Sequence, residues 1–330
     1  MLSRLGVNSV ITRYTKDIKN ILLGQTAKTT NTTYGLNHIN ISNDNKYHAL
    51  CIYGSFNSKL GIWVSSNYGL SFTNTYSGSD NFGSIVMSSN AQYMYSNCQN
   101  VGRVYRSSNY GASWTVVSVG SNISSIDCDS TGQYVFITDF GSGTVYRSSN
   151  YGANYSALIN LISTSGSNIG NITFNESTNV LLYTATGTGK MYKYDLTTST
   201  STEYNPNPSA SNCAGVAISS DGIYIYTVSY NVSTNQIQRS INSGESFSNV
   251  TITIGDGLTN RFARIYCSPN GKYVYTTNYG KWLYYSSDYG ASFQKIDWSS
   301  FFTAGGLVIG MSQNKSKLFL YKSTNGYIIT

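Results

Sequence analysis

Apolar and polar residues alternate in seven short segments spaced along the chain. In each segment the residues three positions and one position before a polar turn are apolar, and the residue between them is mixed. The apolar positions are Ile39, Ile85, Ile126, Ile172, Val216, Ile265 and Ile309, followed by Ile41, Met87, Cys128, Phe174, Ile218, Cys267 and Met311. A period of two residues is typical of β-strands and does not fit a helix.

Each segment runs into a six-residue polar turn, and the turns recur at a regular spacing. They begin at Ser42, Ser88, Asp129, Asn175, Ser219, Ser268 and Ser312, with a mean step of 45 residues. Most are rich in Ser, Asn, Asp and Gly, which turn a chain through left-handed conformations or side-chain bonds to the backbone. Five end on tyrosine, at Tyr47, Tyr93, Tyr134, Tyr224 and Tyr273. A fixed period in this range indicates a repeat architecture.

A second turn of eight residues, hereafter the octapeptide turn, has the same period. Its copies SSNYGLSF, SSNYGASW, SSNYGANY, SINSGESF and SSDYGASF begin at Ser65, Ser107, Ser148, Ser240 and Ser286. The spacings are 42, 41, 92 and 46 residues, so the third gap equals two steps with a degenerate copy between. The two kinds of turn together divide each repeat into four strands, and the octapeptide turn joins the third strand to the fourth.

Seven such repeats predict an all-β chain that forms a seven-bladed β-propeller of four-stranded antiparallel blades. In the second repeat we expect strands near 83–88, 92–98, 102–107 and 113–119. The seventh repeat reaches the end of the sequence after its third strand. We therefore expect residues within 9–30 to supply its fourth strand and to close the ring, because an unclosed ring leaves exposed strand edges. The predicted organisation is an N-terminal closing segment over 1–30 and a propeller over 31–330.

The octapeptide turn resembles the Asp box of the bacterial-neuraminidase-repeat, or sialidase-like, propellers. That motif reads Ser-x-Asp-x-Gly-x-Thr-Trp, and the last copy matches it at Ser286, Asp288, Gly290, Ser292 and Phe293. Asparagine replaces the aspartate in the other copies and keeps the oxygen that caps the turn. The resemblance implies a structural role, away from any active site, for Ser65, Asn67, Gly69, Ser107, Asn109, Gly111, Ser148, Asn150, Gly152, Ser240, Asn242, Gly244, Ser286, Asp288 and Gly290.

The resemblance also raises the question of a sialidase site, which would need three arginines, an acid/base aspartate and a tyrosine activated by glutamate. The family's early Phe/Tyr-Arg-Ile-Pro motif is missing from the first repeat, and the nearest string is Arg264-Ile265-Tyr266 in the sixth. None of the three glutamates (Glu176, Glu203 and Glu245) stands in a recognisable catalytic context. We therefore expect no catalytic residue and no enzymatic activity.

Other candidate chemistry is also weak. A glycosidase needs two facing carboxylates, but Asp129 is interpreted as the cap of its turn and Asp127 as a residue of an inner strand. Asp139 follows ten residues after Asp129. His38 and His48 flank the first inner strand, with no third ligand spaced for a metal. No metal or other cofactor is expected.

One pattern suggests a binding surface. The residue directly before the octapeptide turn is basic in three repeats, and a lysine holds the corresponding place in a fourth, giving Arg106, Arg147, Lys193 and Arg239. Equivalent positions on adjacent blades form an arc, and with a net charge of +7 this basic arc is a candidate site for an acidic protein or a glycan. The alternative is a row of solvated strand residues. The neighbouring tyrosines fall on the opposite strand face, which disfavours nucleic acid.

Composition bears on the expected cellular location of the protein. Only 11% of residues are charged, against about 25% in typical domains, while 30 are tyrosine. The five cysteines are interpreted as buried free thiols. The first 24 residues lack the apolar core of a signal peptide, and no apolar stretch is long enough to span a membrane. A virion or cytoplasmic location is expected.

Three hypotheses remain open. The excess of Asn, Tyr, Ile and Lys resembles proteins of large DNA viruses of protists, so the first is a non-catalytic structural or protein-interaction propeller of a large virus particle, with capsid or other virion proteins as partners. The second is a lectin-like carbohydrate-binding propeller that uses tyrosines at one end of the ring. The third is a glycoside hydrolase.

Overall fold

The computed structural model describes residues 35–53, 60–69, 71–78, 80–99, 101–160, 168–206, 212–230, 237–250, 252, 262–278, 283–296, 307–312, 314–315, 318–322 and 325–329. These residues form 27 β-strands. The strands are grouped into consecutive antiparallel sheets, numbered here as the first to the seventh in chain order. The expected closing segment within 9–30 lies outside the described residues.

Within each sheet the strands are ordered as in the chain. The first strands are β1 (Gly35–Ile41), β5 (Asn81–Met87), β9 (Ile123–Cys128), β13 (Asn168–Asn175), β17 (Asn212–Ile218), β21 (Phe262–Cys267) and β25 (Leu307–Met311). The second strands are β2 (His48–Tyr53), β6 (Met94–Gln99), β10 (Val135–Asp139), β14 (Val180–Thr186), β18 (Ile225–Tyr230), β22 (Val274–Asn278) and β26 (Leu318–Lys322).

The third strands are β3 (Gly61–Ser65), β7 (Arg103–Ser107), β11 (Thr144–Ser148), β15 (Met191–Asp195), β19 (Ile237–Ser240), β23 (Leu283–Ser286) and β27 (Asn325–Ile329). The fourth strands are β4 (Thr73–Ser77), β8 (Thr115–Ser118), β12 (Ser156–Asn160), β16 (Thr200–Tyr204), β20 (Ser248–Val250) and β24 (Gln294–Ile296). A single pairing between Thr186 and Asn212 also joins β14 to β17. The prediction of an all-β chain of four-stranded antiparallel sheets is therefore confirmed for six sheets. The last sheet has three strands among the described residues.

The first strands contact one another in sequence order, and β25 contacts β1, so that they surround a central channel. Ile41 and Ser312 form a parallel bridge between these two strands. A Cβ atom at Gly310 would lie 2.3 Å from the carbonyl oxygen of Ile39, so only glycine permits this close approach. The first strands of the described sheets thus form an inner ring in which the last sheet contacts the first.

The core lies between neighbouring sheets and is built from the alternating positions. Of the fourteen apolar residues that flank the mixed positions, thirteen are buried and Phe174 is half-buried. Burying an aliphatic side chain of this size contributes roughly 1.5–3 kcal/mol. All five cysteines are free and buried, as predicted. No helix among the described residues is long and apolar enough to cross a membrane.

Candidate interaction face and central channel

The octapeptide turns are held by bonds within each turn. In the second sheet the Ser107 hydroxyl donates to Asn109 Oδ1 at 2.9 Å and accepts from the Gly111 amide at 2.9 Å. Asn109 Oδ1 also accepts from the Ser113 amide at 3.0 Å. The other four copies repeat this arrangement. The Ser and Asx side chains of the motif therefore serve their own turns.

Two consecutive residues of every octapeptide turn have left-handed backbone conformations. The glycine has φ between 72° and 96°, and the residue before it has φ between 59° and 62°. That preceding residue is tyrosine in four copies, at Tyr68, Tyr110, Tyr151 and Tyr289, and serine at Ser243. Left-handed backbone is strained for a residue with a Cβ atom, and here it directs the tyrosine outward. Tyr68 is 50% exposed, Tyr110 42% and Tyr289 36%.

Three of these four tyrosines pair with tyrosines of the preceding sheet. Tyr47 of the first sheet stacks on Tyr110 with ring centroids 5.1 Å apart. Tyr93 and Tyr151 stack at 4.4 Å, and Tyr224 and Tyr289 at 4.8 Å. Each pair joins a six-residue turn to an octapeptide turn, so both kinds of turn lie on the same face of the ring. We call this the turn face, and its rim carries repeated aromatic pairs.

The basic arc lies at the junctions between sheets. Arg106 Nε donates to the Tyr151 carbonyl, Lys193 Nζ to the Ser243 carbonyl at 3.3 Å, and Arg239 Nη1 to the Tyr289 carbonyl at 3.2 Å. Each acceptor is the left-handed residue before the glycine in the octapeptide turn of the next sheet. Three members of the arc therefore connect neighbouring sheets, and their predicted role in partner binding stays a prediction.

Arg147 is the exception in the arc. The sheet that follows it has no octapeptide turn, and the Arg147 guanidinium lies over the Tyr134 ring at 4.7 Å from the centroid. Its Nε is buried and has no hydrogen-bond partner among the described residues. The degenerate repeat therefore leaves this arginine without the carbonyl acceptor that the others have.

The six-residue turns form an inner circle around the mouth of the channel. Hydrogen bonds link successive turns at five junctions: Asn43 N to Ser89 O (2.9 Å), Ser89 N to Ser130 O (2.7 Å), Ser130 N to Glu176 Oε2 (2.9 Å), Asn175 Nδ2 to Ser219 O (2.9 Å), and Ser220 N to Pro269 O (2.7 Å). A sixth bond, from Asn314 N to Asn43 Oδ1 (2.8 Å), links the last turn to the first. Pro269 has no amide hydrogen to continue the circle.

The channel itself is lined by alternate residues of the first strands. Two tiers face it: Asn40, Val86, Asp127, Thr173, Ala217 and Tyr266, and then His38, Ser84, Ser125, Asn171, Gly215 and Arg264. The cavity within the channel has a volume of about 110 Å³. A second cavity of about 340 Å³ opens at the mouth among the six-residue turns. Lys315 lies on both cavities, and its Nζ donates to the Ile218 carbonyl at 2.9 Å.

The polar side chains of the channel are connected to each other and to the backbone. His38 Nδ1 is 2.8 Å from the Ile85 carbonyl oxygen and 3.1 Å from the Ile85 amide nitrogen, and Nε2 is 3.2 Å from the Tyr266 hydroxyl. Arg264 also hydrogen-bonds to the Tyr266 side chain. Burial, followed by the nearby Arg264 charge, holds the pKa of His38 well below its usual value, so this ring is neutral near pH 7.

Asp127 is the channel carboxylate. Burial raises its pKa above the ordinary value, against the opposing effect of hydrogen bonds. Its two oxygens accept from the Phe174 amide at 2.8 Å and the Cys128 amide at 2.9 Å. Burial likewise raises the pKa of Tyr266, so its hydroxyl keeps its proton.

The remaining candidates for chemistry have structural partners. Asp129 accepts from the Tyr134 amide at 2.8 Å, which caps its turn, and Asp139 accepts from the amides of Ser121 and Asn122. His48 Nε2 contacts Asn45. Among the described residues, no group of three His, Cys, Asp or Glu side chains could hold a metal ion.

Sequence reasoning missed two features of this region. The channel cluster of His38, Arg264, Tyr266 and Lys315 comes from three different repeats. Its signal was the mixed position for Tyr266 and, for His38 and Arg264, the position directly before the first apolar residue. The exposed tyrosine pairs were signalled by the tyrosines at the ends of the six-residue turns and in the octapeptides.

Comparison with known proteins supports the fold. No protein-family model matches the sequence, and no curated protein matches it. Among solved structures, YCF48 from Cyanidioschyzon merolae aligns with a TM-score of 0.67 at 14% identity over 91% of this chain and 96% of that one. A chain of a mitotic checkpoint complex aligns with a TM-score of 0.68 at 14% identity over 92% and 93%.

A GH74 enzyme from Niastella koreensis also aligns, with a TM-score of 0.61 at 15% identity. The alignment covers 88% of this chain but only 62% of the length of the enzyme. These neighbours are β-propellers, and at such low identity the likeness concerns the fold alone. The chain is thus similar in fold to β-propellers.

Proposed function

We propose that this chain is a non-catalytic propeller that binds another protein through its turn face. The observation that carries the proposal is the set of outward tyrosines, which strained left-handed backbone holds in place. Three of them stack on a tyrosine of the preceding sheet. Tyrosine is favoured at protein interfaces because it buries a large area and still offers a hydroxyl. A ring already stacked on a neighbour also loses little conformational freedom on binding.

The fold neighbours agree with an interaction role. One of the aligned structures is YCF48 bound to a D1 peptide, with a TM-score of 0.65 at 14% identity over 90% of this chain and 93% of that one. Another is part of a mitotic checkpoint complex. Propellers of this general shape therefore present surfaces to peptides and proteins, although a fold alone does not assign function.

Our proposal for the architecture is a ring of seven blades in which the three-stranded seventh sheet gains its fourth strand from residues 9–30. The support for this proposal is the edge of β27, which pairs with no fourth strand among the described residues, because an exposed edge strand invites aggregation. Deletion of residues 1–30 should lower the melting temperature by several degrees or cause aggregation. Unchanged stability would mean that the ring is held by its inner contacts alone.

Within this proposal the octapeptide turns are Asp boxes of a sialidase-like propeller without sialidase activity, and the protein is a component of a large virus particle, found in the virion or the cytoplasm. The octapeptide motif supports the interpretation as Asp boxes, and the amino-acid composition supports the virus particle. The arginine cluster and the paired tyrosine and glutamate of a sialidase are not recognisable in the sequence. A screen of fluorogenic glycosides, sialosides included, should show no turnover.

The binding proposal is tested by removing the aromatic rim. Wild-type protein and a Tyr68→Ser, Tyr110→Ser, Tyr289→Ser variant are used as baits against purified particles of the source virus, and captured proteins are quantified by mass spectrometry. The control is Val101→Ser, which changes an exposed apolar residue at the hairpin between β6 and β7. We expect wild type and control to capture the same virion protein and the rim variant to lose it. Equal capture by the rim variant would refute the proposal.

A lectin-like function is the second candidate, and the stacked tyrosine pairs favour it too. An exposed aromatic ring can pack against the apolar face of a sugar, and the pairs occur at three junctions around the rim. A glycan array separates the candidates, because saturable glycan binding that is lost in the rim variant would favour the lectin.

A further inference from the structure

The central channel contains an imbalance of charge. Its charged side chains among the described residues are Arg264, Lys315 and Asp127. The Lys315 charge acts on Asp127, where it favours the carboxylate, and the Asp127 oxygens are already bonded to backbone amides. No ion pair between described residues involves Arg264. The cavity therefore holds two cations and one carboxylate, with the guanidinium uncompensated.

An uncompensated charge inside a protein is unfavourable, since removal from water weakens its solvation and nothing replaces it. A guanidinium presents donors in a planar fork that matches the two oxygens of a carboxylate or phosphate. We propose that the central channel binds a small oxyanion of the carboxylate or phosphate class, held by Arg264 and the Tyr266 hydroxyl.

The geometry around His38 allows Tyr266 to serve as a donor. His38 Nδ1 has both an amide donor and a carbonyl acceptor on Ile85, so either neutral tautomer finds a partner. When Nε2 carries the hydrogen, it donates to the Tyr266 oxygen and leaves the phenol hydrogen free to turn into the cavity. The Tyr266 hydroxyl can thereby donate a hydrogen bond to the anion, in addition to the hydrogen bonds that the Arg264 guanidinium donates.

A third polar group faces the same space. Asn40 lines the cavity, and its Oδ1 is buried without a hydrogen-bond partner among the described residues. A side-chain amide can turn its NH₂ group toward an anion. The cavity volume of about 110 Å³ is large enough for several waters. This space is therefore large enough for a small oxyanion.

The test measures saturable stabilisation by sodium acetate and by sodium phosphate at pH 7, each titrated at constant ionic strength maintained with sodium chloride. An anion that binds only the folded protein raises the melting temperature with its concentration. We expect a saturable rise in the wild type and none in Arg264→Gln. The matched control is Arg103→Gln, which removes an arginine paired with Asp80 away from the channel and should keep the response.

A second variant keeps the test decisive if Arg264→Gln does not fold. Tyr266→Phe removes one donor while keeping the ring, and its affinity for the anion should fall about tenfold, as expected for a hydrogen bond to a charged group. Binding is then followed by NMR line broadening of ¹³C-labelled acetate or of the phosphate ³¹P signal. Saturation by either anion supports the proposal and identifies the preferred class. Lack of saturation by both, or unchanged affinity in Tyr266→Phe, overturns it.

Discussion

The junction between the second and third sheets differs from the junction between the third and fourth, although both join sheets of similar sequence. At the former, Arg106 donates to the Tyr151 carbonyl, and Tyr93 stacks on the Tyr151 ring. At the latter there is no octapeptide turn, and Arg147 lies over Tyr134 of its own sheet. An arginine is present at both junctions, but only the junction between the second and third sheets provides a backbone carbonyl that accepts its hydrogen bond.

The complete junction is a repeated unit, since it recurs between the fifth and sixth sheets. Arg239 donates to the Tyr289 carbonyl, and Tyr224 stacks on the Tyr289 ring. Buried tyrosines make matching contacts: the Tyr95 hydroxyl donates to the Gly132 carbonyl at 2.6 Å, and the Tyr226 hydroxyl to the Gly271 carbonyl at 2.7 Å. The octapeptide turn is thus a device for joining sheets as well as for reversing the chain.

The incomplete junction replaces these contacts with others. Phe136 and Phe174 pack with ring centroids 4.8 Å apart. The Glu176 carboxylate accepts from the Ser130 amide at 2.9 Å and from the Ser130 hydroxyl at 2.8 Å. A carboxylate is therefore the acceptor where four other junctions of the inner circle use a backbone carbonyl. The repeat tolerates loss of its motif because aromatic packing and one acidic side chain take over.

The largest expected effect comes from filling the space beside an octapeptide glycine. A Cβ atom at Gly152 would lie 2.7 Å from Cε1 of buried Tyr95, so Gly152→Ala should lower the free energy of unfolding by about 2–4 kcal/mol. Gly187→Ala is the matched control, because Gly187 also has a left-handed backbone (φ 88°) but has nothing within 4 Å of the added atom. Its loss should be about 1 kcal/mol, from backbone strain alone.

Urea unfolding of both variants, fitted with a common slope, measures this difference. The difference between the two losses separates the steric effect of the close approach between sheets from the backbone strain of the turn. Equal losses in the two variants would show that the glycine serves only the turn.

A smaller effect should separate the two arginines. Arg106→Met removes the donor of the partly buried Tyr151 carbonyl, and an unpaired acceptor lowers stability by about 1–3 kcal/mol. Arg147→Met removes no hydrogen bond to a described residue and loses only the contact with Tyr134, which contributes about 0.5–1 kcal/mol. Chemical denaturation of the two variants checks the order, and a larger loss for Arg147→Met would contradict our account of the junctions.

The sequence predicted the strands well because their signal is local. Strands expected near 83–88, 92–98, 102–107 and 113–119 correspond to Asn81–Met87, Met94–Gln99, Arg103–Ser107 and Thr115–Ser118. Alternating burial and turn-forming residues determine such elements within a few positions. The Ser and Asx contacts of the octapeptide turn are local for the same reason.

The contacts between sheets could not be predicted in the same way. Arg106 was interpreted from its charge and position as a member of a surface arc, but its acceptor lies 45 residues away along the chain. The channel cluster joins His38 to Tyr266 across 228 residues. Such contacts depend on the angle and rise between neighbouring sheets, which a period in the sequence does not specify.

A modest effect should follow from removing the acidic side chain at the incomplete junction. Glu176→Ala leaves the Ser130 amide and hydroxyl without their acceptor, and because the site is exposed, water replaces part of the loss. We expect destabilisation of about 0.5–1 kcal/mol by urea unfolding. Glu245→Ala, an exposed glutamate in the octapeptide turn of the fifth sheet, is the control and should change stability less. A larger change in the control would contradict the conclusion that Glu176 stabilises the incomplete junction.

The smallest effect concerns the one aspartate among the octapeptide turns. The Ser292 hydroxyl hydrogen bond, with further bonds from the Ser292 amide and the Ser286 hydroxyl, lowers the pKa of Asp288 from 3.8 to about 2. A carboxyl whose pKa is lower in the folded state stabilises the protein above its unfolded pKa, and that contribution is lost as the pH falls through the folded pKa.

Wild-type protein should therefore lose more thermal stability between about pH 4 and pH 2 than Asp288→Asn, since an amide does not titrate there. The other carboxyl groups act equally in both proteins, so the difference between the two melting curves reports Asp288 alone. The reverse exchange, Asn109→Asp in the second sheet, should introduce the same dependence, because Asn109 holds the equivalent bonds to Ser107 and Ser113. Parallel pH profiles for all three proteins would mean that the turn does not distinguish the carboxylate from the amide.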